Sequence, residues 1–144
     1  MLLPLSSRFL RVAMAPLDAF KQTALSFLGI RDEQKHTLPF YLVRNEERLL
    51  WWLEQYSQTE KNDLTGYSYA ENSVETIFHW AVIQGASVGV FKALLQHVPD
   101  LVNISKQGEL PIDMNEAGAS NLKQAMEEMA EMVNDKPPTI RLAL

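Results

Sequence analysis

His36, His79 and His97 are the side chains best equipped for acid–base or metal chemistry, and their scatter along the 144-residue chain works against both. None falls in a metal-binding spacing such as His-Glu-x-x-His, which places two imidazoles one helical turn apart on a shared face. Cysteine is absent, which removes thiolate ligands, a thiol nucleophile and disulfides together. The chain contains no nucleophile elbow, phosphate loop or dinucleotide fingerprint. Glu127 and Glu128 are adjacent, so on a helix their carboxylates point about 100° apart and do not share a proton. No cofactor and no metal is expected.

Composition narrows the partner instead. The chain carries 13 Lys and Arg against 18 Asp and Glu, a formal charge of -5, which opposes the phosphate backbone of a nucleic acid. Charge is unevenly spread: residues 113–135 hold Asp113, Glu116, Glu127, Glu128, Glu131 and Asp135 against Lys123, whereas residues 1–30 hold Arg8, Arg11 and Lys21 against Asp18. No apolar run approaches the ~20 residues of a membrane-spanning helix. The apolar opening Met1-Leu2-Leu3-Pro4-Leu5 lacks a basic leader, and Arg8 and Arg11 interrupt the apolar residues beyond it. That argues against a secretory signal despite Ala13-Met14-Ala15, and leaves an organelle transit peptide open. A soluble single domain stabilised by packing is expected.

Several elements are predicted from periodicity. Pro16 and Gly29 bracket Leu17 to Leu28, where Leu17, Phe20, Ala24 and Leu28 recur at helical spacing and predict an amphipathic helix. Lys21 is its only cation, which favours a helix capping a core over one lying on a membrane. Residues 31–37 are polar. From Pro39 a second helix is predicted through Glu46 to Tyr56, with Leu49, Trp52, Leu53 and Tyr56 on one face and Trp51 nearly opposite. Trp51 is either a binding anchor or buried under the N-terminal helix. Ser57 to Ser73 contains Asn62, Asp63 and Gly66 and no helical stripe, so a long loop is predicted, with Tyr67 and Tyr69 as candidate recognition residues.

From Thr76 the pattern becomes specific: Thr76-Ile77-Phe78-His79-Trp80-Ala81-Val82, then Gly85, then Val90, Ala93, Leu94 and Leu95. This resembles an ankyrin repeat, with the family's Thr-Pro-Leu-His opening at Thr76 to His79, its helix-ending glycine at Gly85 and its paired leucines at Leu94 and Leu95. Ile77 stands where the family has proline. A successor begins at Gly108, Leu110, Pro111, Ile112 and Asp113, close to the family period of ~33. There Leu110 replaces threonine, Asp113 replaces histidine and Gly118 arrives one residue early, while Leu122, Met126, Met129 and Val133 keep a helical stripe. Leu38-Pro39-Phe40-Tyr41 with Leu49, Leu50 and Leu53 resembles a degenerate earlier repeat.

The resemblance implies an all-α fold: a short ankyrin-like stack over residues 37–135 with a loop at 57–73. It leaves residues 1–36 as a helical extension packed on the stack and 136–144 as a flexible tail. It gives His79 a structural role, hydrogen-bonding within and between repeats; His97 suits a helix C-terminus. Ankyrin stacks bind proteins through hairpin tips and the concave face of their first helices. That nominates Ile104, Ser105, Lys106, Gln107 and Glu109, with Trp80, Ile83, Gln84 and Met114, for contact with a protein partner. The acidic Glu127, Glu128 and Glu131 before a tail ending Leu142-Ala143-Leu144 also resemble Dot/Icm-type bacterial effectors, which implies delivery into a host cell rather than a purely cytoplasmic life. The same terminus fits a hydrophobic C-terminal ligand. The expected function is non-enzymatic protein binding, the alternative a small enzyme with an unrecognised site.

Overall fold

The computed structural model describes residues 3–55, 61–71 and 73–134. The segment weighed as a targeting sequence is helical: α1 spans Leu5–Met14 and buries Phe9, Val12 and Ala13. Glu33 serves its open first turn, accepting the Ser6 hydroxyl at 2.7 Å and the Ser6 backbone N–H at 2.9 Å. A carboxylate there meets the positive end of the helix dipole. Pro16 then opens α2 (Leu17–Ala24), which tightens into a 3₁₀ turn over Leu25–Phe27 instead of continuing as α-helix to Leu28.

Aromatic packing fastens these two helices to residues 38–55. Phe9 meets Phe27 and Tyr41 edge-on at ring distances of 5.2 and 5.6 Å, and Phe20 meets Trp51 at 5.4 Å. Two faces of α3 (Glu46–Gln55) are therefore covered: Leu49, Trp52 and Leu53 turn into the core, and half-buried Trp51 lies against α2. The single helix expected from Pro39 to Tyr56 is two pieces, a 3₁₀ turn over Leu38–Leu42 and then α3. The break comes at Asn45, whose side-chain oxygen accepts the Arg48 N–H at 3.1 Å. An asparagine in that role starts a new helix rather than continuing an old one. Tyr56 lies outside the described residues.

The loop expected over 57–73 needs correction, and the expected helical class gains a small sheet. Residues 61–64 form a 3₁₀ turn, and strand β1 (Thr65–Ala70) pairs antiparallel with β2 (Ser73–Thr76). The sequence carries a strand signal there: Thr65, Tyr67 and Tyr69 alternate with Gly66, Ser68 and Ala70, and β-branched Val74 and Thr76 favour extended backbone.

Helices α4 (Ile77–Ile83) and α5 (Val88–His97) come next and pack on each other. Thr76 caps α4: its hydroxyl accepts the Phe78 N–H at 3.2 Å, while its own N–H donates to His79 Nδ1 at 3.0 Å. This is a capping box with histidine in the place usually held by Glu or Gln. Gly85, at φ 70°, ends α4 in the left-handed conformation, so that its N–H reaches Val82 O and the Ala86 N–H reaches Ala81 O. Ser87 caps α5, and His97 occupies its last turn.

The second repeat departs from expectation. Residues Pro111–Asp113 make only a 3₁₀ turn, and Gly118 begins α6 (Gly118–Asn134) rather than ending a helix. A Cβ at Gly118 would stand 2.4 Å from Val82 O and 2.7 Å from Val82 Cα, so the bare glycine lets α6 rest directly on α4. On α6, Leu122 and Ala125 are buried and Met126 and Met129 pack beside them, while the side chain of Val133 lies outside those described. Exposed Glu127 and half-buried Glu128 share that helix, and Glu128 accepts from Lys92 of α5 at 3.1 Å.

The described residues are thus mainly helical with one two-stranded sheet. Helix α5 packs against both α3 and α6, and α1 packs on the 38–42 turn. One apolar core runs from Phe9 to Ala125. No described helix is long and apolar enough to cross a membrane. Residues 135–144, with the Leu142-Ala143-Leu144 terminus behind the effector resemblance, lie outside the described residues.

Candidate functional site

Two chain reversals meet at one edge of the molecule. The first is the β1–β2 hairpin. The second is closed by Lys106 and Glu109, which exchange backbone hydrogen bonds of 2.9 and 3.1 Å around Gln107 and Gly108, at φ 52° and 84°. Positive φ at both central residues gives the tight reversal that matches strand twist. The hairpins are joined: the Val74 N–H donates to Ser105 O at 3.1 Å, and the Gln107 N–H donates to Ser73 Oγ at 2.6 Å. Tyr67 and Tyr69, two residues apart on β1, stand half-exposed with their rings 4.9 Å apart. Lys106 Nζ lies 5.8 Å from the Tyr69 ring centre, within cation–π range.

Beneath that edge is a buried polar chain. Lys106 Nζ is 3.5 Å from Glu75 Oε2, and His36 Nε2–H donates to Glu75 Oε1. His36 stacks on Phe40 at 4.5 Å and touches the Trp80 ring at 4.7 Å, while Trp80 Nε1–H donates to Phe40 O at 3.0 Å. Burial pushes the Glu75 carboxyl up, but the His36 hydrogen bond and the charges of His36 and Lys106 outweigh it and hold the group below the usual carboxylate range. Asp32 fixes the approach of His36, accepting its backbone N–H at 2.9 Å and the Tyr41 hydroxyl besides. The Tyr41 phenol is pushed well up, first by burial and then by that hydrogen bond and the Asp32 charge.

His79 is fully buried and bonded at both ring nitrogens. Since Nδ1 accepts from Thr76, the ring proton sits on Nε2 and donates to Glu109 O at 3.1 Å. Burial lowers its pKa and favours this neutral tautomer.

The nine nominated residues fall into separate places. Ser105, Lys106, Gln107 and Glu109 share the second hairpin, and Ile104 and Ser105 line a depression of about 460 Å³ with Glu71 and Val74. Trp80 and Gln84 line another of about 230 Å³ with Leu10, Tyr41 and Arg44. Ile83 is exposed, and half-buried Met114 packs on the core; neither lines these two depressions. The sequence reading named His36 only as one of three scattered histidines and did not single out Glu75, and together the two connect Trp80 to Lys106.

Among the described residues no group of three His, Asp or Glu side chains is placed to hold a metal. Compared with known proteins, the chain matches no family model, no curated protein and no solved structure.

Proposed function

We propose that this chain is a protein-binding module built as a short ankyrin-like stack, and that it grips its partner with the paired hairpins and the adjoining Trp80–Gln84 side of α4. The observation that carries the reading is the pair of hydrogen bonds made by the His79 ring. It ties the α4 cap to the following hairpin through Glu109 O, the within-and-between role that the resemblance implies. The order of elements supports it. Each longer helix, α3, α5 and α6, is preceded by a shorter piece at 38–42, α4 and 111–113. The outer two pieces are single 3₁₀ turns, in keeping with terminal repeats that meet solvent on one side.

Glu75, His79 and Tyr41, three of the groups with displaced pKa, are held in internal hydrogen bonds rather than turned toward a substrate. The residues facing outward are of another kind. Half-exposed Tyr67 and Tyr69, half-buried Trp80 and a lysine above a ring are the types that anchor protein interfaces.

The test is affinity capture from a cell lysate with wild-type and Lys106→Glu baits, followed by calorimetry on the captured protein. Lys106→Glu and Tyr69→Ala are each expected to weaken binding about tenfold, a loss of about 1.4 kcal/mol, with helicity unchanged. Wild-type affinity in both folded variants would remove the hairpin face from the interface.

A further inference from the structure

Beside the hairpin face, two open depressions run into one groove. The first, about 420 Å³, is lined by Leu10 and Met14 of α1 with Tyr41, Arg44 and Arg48. The second continues over the shared Leu10, Tyr41 and Arg44 to Trp80 of α4 and Gln84 just beyond its end. Leu10 and Met14 lie one helical turn apart and are 50% and 74% exposed, an apolar wall left without cover. Arg44 is exposed and makes no hydrogen bond or ion pair among the described residues. Arg48 is held in place by donating to Ala13 O at 2.7 Å and by lying 5.0 Å from the Phe20 ring centre. On a chain of net charge -5, this lining is a local reversal of sign.

We infer that the groove takes an acidic peptide segment of a partner protein. One apolar side chain lies over Leu10, Met14 and Trp80, and its carboxylates meet Arg44 and Arg48. This rests on reading the chain as a protein-binding module and names the chemistry of what it binds. Planar guanidinium groups match carboxylates in paired hydrogen bonds, and a concave lining with an aromatic floor suits a peptide. A bilayer surface instead calls for a projecting helix face with several cations.

The probe is a display library of random peptides selected on the full chain, with the enriched sequences synthesised and measured by fluorescence anisotropy. Arg44→Glu, Met14→Ser and Lys123→Gln change exposed side chains, and folding is checked by helicity. Enriched peptides are expected to carry an excess of Asp and Glu beside a large apolar residue. Arg44→Glu should weaken them about tenfold and Met14→Ser less steeply, while Lys123→Gln, at an exposed position on α6, leaves them close to wild type. Failure to enrich acidic sequences, or equal affinity in Arg44→Glu, overturns the inference. So does binding confined to phosphatidylserine vesicles and lost in Arg44→Glu, which would assign the groove to lipid. Peptides that respond to Lys106→Glu but not to Arg44→Glu would sink the groove and leave the hairpin reading standing. A captured protein indifferent to Lys106→Glu would do the reverse.

Discussion

His79 draws two structural demands onto one side chain, because a single neutral tautomer must satisfy a donor on one side and an acceptor on the other. His79→Gln should cost about 1–3 kcal/mol, the price of leaving a buried polar partner unmet. The pH dependence has a definite sign. Burial sets the folded pKa below the ordinary 6.5, so the unfolded chain takes up the proton first as pH falls. The stabilising contribution is therefore complete above about 6.5 and declines as pH drops from there toward the folded value. Denaturant titrations at about pH 7.5 and about pH 5 should show a smaller pH-dependent loss in His79→Gln than in wild type; equal losses would contradict this. Glu75 acts in a lower window, since its folded pKa lies below 4.5. Glu75→Gln should be destabilised at neutral pH, and the difference should shrink as pH falls below 4.5 and the wild-type carboxyl is protonated.

At the scale of elements, α5 is the spine, and Leu94 sits on it without solvent exposure. Leu94→Ala should cost about 2–5 kcal/mol in thermal or chemical unfolding. Gly118→Ala tests the contact between α4 and α6. Helix propensity alone favours alanine by about 1 kcal/mol, but the added Cβ would meet backbone 2.4 Å away, so the melting temperature should fall rather than rise. The α4–α5 pair was legible because its signals are local: the Thr76 cap, the Gly85 stop and apolar residues at helical spacing. Other elements were misread for reasons equally physical. Asn45 split one expected helix in two by capping the second half. The alternation at Thr65 to Ala70 was hidden by small polar residues that read as turn. Gly118 is a helix start because of a neighbour 36 positions earlier in the chain, Val82, which no local pattern announces. The site suffered most from this: His36 and Glu75 are 39 residues apart, and only the fold puts one on the other.

For the whole molecule, the N-terminal helices are part of the core, with Phe9 packed between Phe27 and Tyr41 and Phe20 against Trp51. Deleting residues 1–30 should uncover that aromatic surface and drive self-association visible by light scattering; a monomeric truncation of full helicity would contradict the packing. The division of labour across the surface reflects the same arrangement. Acidic α6 packs on α5 and α4, whereas the groove is lined by Leu10, Tyr41, Arg44 and Trp80 and the hairpins carry Tyr69 and Lys106. The most direct measurement is amide hydrogen exchange on the full chain with and without the captured partner. Protection is predicted at residues 65–71, 80–84 and 104–109. Protection confined to the outer surface of α6 or to α2, with the hairpins unchanged, would contradict the protein-binding role of that face.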